Sequence, residues 1–268
     1  MSDVARLHAM FRDACLGDTE AALTHDLAKH LARHGVAKED AEALLASPRR
    51  LPLYRQLVRH NVTNVIGAML ERTRARLEHR VPGAFAKAVA DWLAVEGPRT
   101  SHLRDVPGEF LSWIAPRWRS DDRLPSWLVD YAELELVDFT IGVAPRPSPP
   151  PPLADVAADR PLVFAEPRVL VRLGHAVHDV ADDLDATPER RDVRILVYRD
   201  GEHRTRFLDL TPAAAAILEK LFLGRPLANA MVEGCKDAGI AVDDTVLASA
   251  ARLLADLGER GVLLGARA

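Results

Sequence analysis

The sequence predicts an α+β chain of two domains: an all-α N-terminal half, then a winged-helix-like C-terminal half of three strands followed by three helices. Three observations predict it. The apolar residues of the first half recur at helical spacing. The run "APRPSPPPPLADVAAD" places six prolines between Pro145 and Pro152. After it the hydrophobic period shortens, and β-branched runs come before helical ones. The expected division is an all-α domain at 1–144, a proline-rich linker at 145–159 and a winged-helix-like domain at 160–268. Proline lacks an amide hydrogen and disfavours helix in its predecessor, so the linker should be extended and semi-rigid.

Val4–Leu16 is amphipathic, with Leu7, Met10, Phe11 and Ala14 on one face. Asp18 or Thr19 can cap a second helix reaching about His34, ended by Gly35. Lys38–Ala46 makes a short third helix before Ser47-Pro48. Leu51–Arg80 reads as one long helix, striped by Tyr54, Leu57, Val58, Val62, Val65, Ile66, Met69, Thr73 and Leu77. "PGAFAKAVADWLAVEG" should bury Phe85, Val89, Trp92 and Leu93. "DVPGEFLSWIAPRW" gives a short helix, and "LPSWLVDYAELELVDFTIG" the last one, with Pro125 near its first turn. Beyond the linker, "RVLVRLGHAVHDV", "DVRILVYRDG" and "HRTRFLDL" read as strands, with Arg199-Asp200-Gly201-Glu202 as a turn. Thr211-Pro212 is an N-cap followed by proline at the first helical position. It opens "AAAAILEKLFLG". "PLANAMVEGCKDAG" and the acid-capped "DDTVLASAARLLADLGERG" follow, then a short "VLLG" tail.

Composition narrows the function classes. The chain has 268 residues, 48% hydrophobic but only 5% aromatic, so aliphatic packing dominates its cores. The formal net charge is −4, which argues against whole-chain attraction to nucleic acid. No apolar run is long enough to span a membrane, and the first residues do not resemble a secretory signal. Cys15 and Cys235 are the only cysteines and give neither a disulfide framework nor a zinc spacing, so a reducing cytoplasm is expected.

Enzyme motifs are absent: there is no glycine-rich phosphate loop, nucleophile elbow or His-Glu metal helix. His25, His30 and His34 cluster, and the last two are four apart. With no third ligand specified, they are expected to face solvent, and no metal site is assigned. His175 and His178, three apart on a presumed strand, would face opposite sides. The acidic run His178–Asp192 lacks a calcium loop's glycine and terminal Glu, so it reads as a solvated loop.

Leu51–Arg80 carries Arg55, Arg59, Arg72, Arg74, Arg76 and Arg80 against Glu71 and Glu78. These arginines could contact phosphates, or pair with acids of neighbouring helices. Asn61 and Asn64 are mediocre helix formers. Asn61 lies at the stripe's edge, where a buried amide would need partners, either in its own fold or on a partner protein.

The stretches "LPLYRQLVRHNVTNVIGAML", "FAKAVADWLAVEGPRTSHLRDVPGEFLSWI" and "LPSWLVDYAELEL", in that order, resemble a helical family long labelled a DNA-binding domain. Its better understood members are obligate partners of multinuclear non-haem iron oxidative enzymes. Together these modify ribosomally made precursor peptides, as in methanobactin and 3-thiaglutamate pathways. The resemblance covers roughly Val4–Val143. The chain departs from the family's frequent Leu-Glu-Trp, having Leu134-Glu135-Leu136. The second half resembles the winged-helix peptide-recognition elements typified by the pyrroloquinoline quinone chaperone.

The resemblance implies a non-catalytic partner with no cofactor of its own, the iron residing in the partner enzyme. It implies partner docking through Tyr54, Arg55, Arg59, Asn61 and Asn64. It also implies that the leader segment of a precursor adds as a strand beside Arg204–Leu210. The peptide-binding set is then Arg204, Arg206, Phe207 and Leu208 with Leu247, Ala250, Ala251 and Leu254 of the last helix. The alanines could instead pack closely on their own sheet. The alternative function is a DNA-binding transcriptional regulator. Against it, residues 160–268 hold 15 Lys and Arg but 17 Asp and Glu. A stand-alone enzyme has no motif behind it.

Overall fold

The computed structural model describes residues 3–145 and 148–268; Arg146 and Pro147 of the proline-rich segment, and Met1 and Ser2, lie outside them. The chain divides into two compact units, Met1–Ala132 and Glu133–Ala268. The architecture is α+β, with helices first and mixed sheet and helix afterwards.

The first unit runs through α1 (Asp3–Leu16), α2 (Glu20–His25), α3 (Leu27–Arg33), α4 (Lys38–Leu45), α5 (Arg50–Met69), α6 (Glu71–Arg80), α7 (Ala84–Val95) and α8 (Val106–Ser120). Among its described residues two apolar centres stand out. Met10 and Ala14 of α1 meet Leu23, Leu27, Leu31 and Leu51 in one. In the other, Phe110 sits edge-to-face with Phe85, Trp92 and Trp118 at 6.0, 5.7 and 6.0 Å between centroids. Helix α9 (Leu128–Val143) supplies residues to both units.

Two helices expected to be continuous are each broken. The segment from Glu20 to Arg33 breaks at Asp26, whose φ of −148° and ψ of 53° leave the helical region. Its carboxylate accepts from the amide of Lys29, so Asp26 is the N-cap that starts α3. Leu51–Arg80 is not one helix: Leu70, at φ −120° and ψ 40°, separates α5 from α6. The buried stripe nevertheless continues through Ile66, Leu70, Thr73 and Leu77, so hydrophobic spacing could not reveal the break. Helix α8 also extends further than expected, 15 residues with Pro116 inside it.

Among its described residues the second unit holds two three-stranded antiparallel sheets. Strands β3 (Arg168–His175), β4 (Arg190–Arg199) and β5 (Thr205–Asp209) form one, in that order. The register pairs Leu196 with Leu208 and Val197 with Phe207. The expected turn closes β4 onto β5: Asp200 donates its amide to Arg204 O at 2.9 Å, and His203 takes a φ of 63°. Three helices follow as expected, α10 (Pro212–Phe222), α11 (Leu227–Asp237) and α12 (Asp244–Glu259). Thr211 accepts from Ala214 N and Asp243 from Val246 N, so both predicted caps form.

The other sheet was not anticipated. The "VLLG" tail is strand β6 (Leu263–Arg267), the centre of a sheet flanked by β1 (Leu153–Ala154) and β2 (Leu162–Phe164). Strand β1 thus lies in the segment read as linker. Ala228 also donates to Ala158 O at 2.8 Å and Ala268 to Pro152 O at 3.1 Å.

Leu196, Tyr198, Ile217, Leu218, Met231, Cys235 and Leu257 build a core between β4 and the three helices. Helices α10 and α11 approach closely at Gly234, where a Cβ would lie 2.7 Å from the backbone of Ile217.

Candidate functional site

On α5 the buried stripe is offset from expectation. Tyr54 and Leu57 are half-exposed, each at 51%, with the Tyr54 ring edge-on to Phe11 at 6.2 Å between centroids, while Leu51 and Arg55 face inward. The Arg55 guanidinium reaches the end of α1, whose last carbonyls have no partners inside their own helix. Its Nη1 donates to Ala14 O at 2.8 Å and Gly17 O at 2.7 Å. Arg59, one turn on, donates to Leu16 O at 3.1 Å. Two cations therefore close the negative end of the α1 dipole.

The other arginines of the basic stretch are largely engaged as well. Arg76 is buried with its guanidinium 4.7 Å from the Tyr131 ring centroid, Arg72 lies 5.8 Å from the same ring, and Arg80 is 5.9 Å from Trp127. Asn61 is exposed rather than buried, because the burial stripe passes through Val62 and Ile66 instead. Asn64 is exposed too, with its Nδ2 2.7 Å from His60 Nε2. Leu53, Tyr54 and Leu57 thus form an apolar ridge on the outer face of α5, followed by the two amides.

In the second unit β5 is an edge strand. Its inner bonds are fixed by Asp200 N to Arg204 O and Leu210 N to Arg194 O. Antiparallel alternation then turns the backbone N–H and C=O of Thr205, Phe207 and Asp209 to the open edge. Thr205 is additionally held through its hydroxyl, which donates to Asp138 O at 3.3 Å. Phe207 is 41% exposed. Leu208 packs on the core beneath, and Arg206 pairs with Asp200 at 2.6 Å. Arg204 pairs with Glu202.

At the end of β5 opens an apolar groove of about 340 Å³ between α10 and α12. Its walls include Leu210, Ile217, Leu218, Val246, Ala250 and Leu254. Ala250 and Leu254 of the expected peptide-binding set therefore line it. Leu247 and Ala251 lie on the exposed side of α12 and do not. The groove-lining residues of α10 were not singled out in the sequence, where they read as ordinary core; only the helix's unusually alanine-rich start, Ala213–Ala216, marked them.

The histidines need two corrections. His25 is exposed, but His30 is 3% exposed and His34, its side chain 18% exposed, is turned onto Asp13, so neither faces solvent as expected. The break at Asp26 starts α3 afresh, so its burial pattern is set against α1. His178 is not on a strand: it sits in a single turn after β3 and reaches Asp209 Oδ1 at 2.9 Å.

No helix of the described residues is long and apolar enough to cross a membrane. A comparison with curated proteins found no match. Residues 168–258, the span from β3 to α12 that holds both the open edge and the groove, match the family model described as HvfC C-terminal domain.

Proposed function

We propose that this chain is a non-catalytic partner of a multinuclear non-haem iron oxidative enzyme, and that it holds the leader of a ribosomal precursor peptide for modification. The carrying observation is the open edge of β5 beside an apolar groove, within the segment that matches the HvfC C-terminal domain. An extended peptide gains backbone hydrogen bonds at such an edge, and alternate side chains fall on the helix-bearing face. The groove volume suits one or two apolar anchors. Tethering the peptide raises its concentration at an iron site supplied by the partner.

On the first unit, the apolar ridge and the two exposed amides of α5 are the docking surface this reading favours. Arg55 and Arg59 support that surface from inside by fixing α5 against α1. A DNA-reading role draws no support from α12, where Arg252 is the only basic residue against Asp244, Asp256 and Glu259.

Co-expression with a multinuclear non-haem iron oxidative enzyme tests the reading. A complex that persists through gel filtration at several salt concentrations is expected. Asn61→Ala with Asn64→Ala should weaken it while changing stability by no more than about 0.5 kcal/mol, as is usual for exposed positions. Failure to co-purify at any salt, together with a gel shift on DNA whose affinity falls steeply with salt, would replace this function with the regulator.

A further inference from the structure

His30 presents a buried polar side chain that the docking role does not use. Its side chain has no exposed surface, and neither ring nitrogen has a hydrogen-bond partner among the described residues. Buried polar groups are normally satisfied, so an orphaned imidazole calls for a ligand. His34, one turn along, faces the same way, and the two ring centroids are 4.8 Å apart. Asp13 of α1 completes the cluster. Its Oδ2 is 2.8 Å from His34 Nε2 and 4.0 Å from His30 Nδ1. One donor atom from each of the three residues lies within 4.8 Å of the others. Gly17 makes room for the carboxylate, since a Cβ there would sit 2.5 Å from Asp13 Oδ1.

We propose that Asp13, His30 and His34 form a binding site for a divalent transition-metal ion of the zinc class. Two imidazoles and one carboxylate are a donor set that such ions take, leaving a fourth position for water. Metal–ligand bonds of about 2.0–2.2 Å in tetrahedral geometry hold donors about 3.4 Å apart. The Asp13–His34 and Asp13–His30 separations, 2.8 and 4.0 Å, bracket that value, and all three donors lie within 4.8 Å of one another, so closure on an ion needs side-chain shifts rather than backbone movement. Arg33, whose Nη2 lies 2.7 Å from Asp13 Oδ2, is the cation the metal must displace. Its side chain is 62% exposed and can swing into solvent. A bound ion would pin α1 to α3.

The test uses the full-length, tag-free chain, stripped with chelator and titrated with Co(II) and then Zn(II). One equivalent of Co(II) should bind with the visible absorption of a tetrahedral site, and Zn(II) should displace it. His34→Ala and Asp13→Asn should each weaken Zn(II) binding by at least about tenfold with native circular dichroism, as loss of a ligand requires. Arg33→Ala should tighten it, because the competing cation is gone. Less than one equivalent bound, or wild-type affinity in both ligand variants, or weaker binding in Arg33→Ala, would overturn the site.

Discussion

Arg55 Nη1 donates to the carbonyl oxygen of Ala14 at 2.8 Å, a bond that spans 41 positions of sequence and ends α1 on the side chain of α5. The same nitrogen reaches Gly17 O. Replacing Arg55 with Ala would take the donor from the part-buried Gly17 O and leave the buried Ala14 O only the Thr19 hydroxyl at 3.4 Å. We expect a loss of about 2–4 kcal/mol, read by denaturant unfolding. Arg55→Lys should recover only part of it, since one ammonium on a shorter stem does not reproduce the guanidinium's reach. A near-neutral Arg55→Ala would mean these bonds are surplus.

Phe207 tests the peptide edge without touching the ladder. Its amide faces away from β4, so Phe207→Pro removes an outward donor and no internal sheet bond. Thermal unfolding should stay close to wild type. Affinity for a fluorescent leader peptide should fall at least about tenfold, the share of lost pairing and its neighbouring contacts. Equal affinity in the variant would show that the peptide does not pair along β5.

Gly234 allows α11 to touch α10. In Gly234→Ala the new methyl would sit 2.7 Å from Ile217 Cα and N, backbone atoms that move only with their helix. Overpacking of this kind costs about 1–3 kcal/mol. The cost should appear as a lower denaturation midpoint. Because Ile217 also lines the groove, weaker peptide binding should accompany it.

Asp200 organises the β4–β5 turn. Its Oδ1 accepts from the amides of Glu202 and Arg204, both at 2.9 Å, and its Oδ2 accepts from Arg206. The Arg204 amide first, then the Arg206 guanidinium, hold its carboxyl below the ordinary aspartate value of 3.8. A depressed carboxyl stabilises the fold above its unfolded pKa, and the gain is lost as pH falls through 3.8 towards the folded value. Hydrogen exchange at Arg206 and Leu208, whose amides face β4, should therefore quicken below about pH 4 in wild type, beyond the intrinsic trend. In Asp200→Asn it should be faster at neutral pH and lack that acid step. A variant with the wild-type profile would assign the turn's order to its backbone alone.

What was legible in the sequence was what short stretches decide. Thr211 with Pro212, and Asp243, start their helices through their own side chains and the next turn. The Asp200 turn joins neighbouring strands, so its register needs only local chemistry. The proline run announced the change from helical to mixed structure. Ala250 and Leu254 were named only through the resemblance to peptide-recognition elements, and both lie on the groove wall.

Other features were settled by groups far apart in the chain. Periodicity put Tyr54 on the buried stripe, whereas the fold leaves it half-exposed and buries Arg55, whose guanidinium meets the carbonyls ending α1. Leu70 breaks a helix whose apolar stripe runs on unbroken. Strand β6 looked like a tail because its partners, Leu153–Ala154 and Leu162–Phe164, lie a hundred residues earlier. His30 read as a surface histidine until α1 packed across it. The sequence by itself determined the α+β class, the run of β3, β4 and β5 followed by three helices, and the caps, since each rests on local backbone chemistry. Only the tertiary structure decided which side of a helix is inside, because burial and the demand for hydrogen-bond partners are set by chain segments that no local window contains.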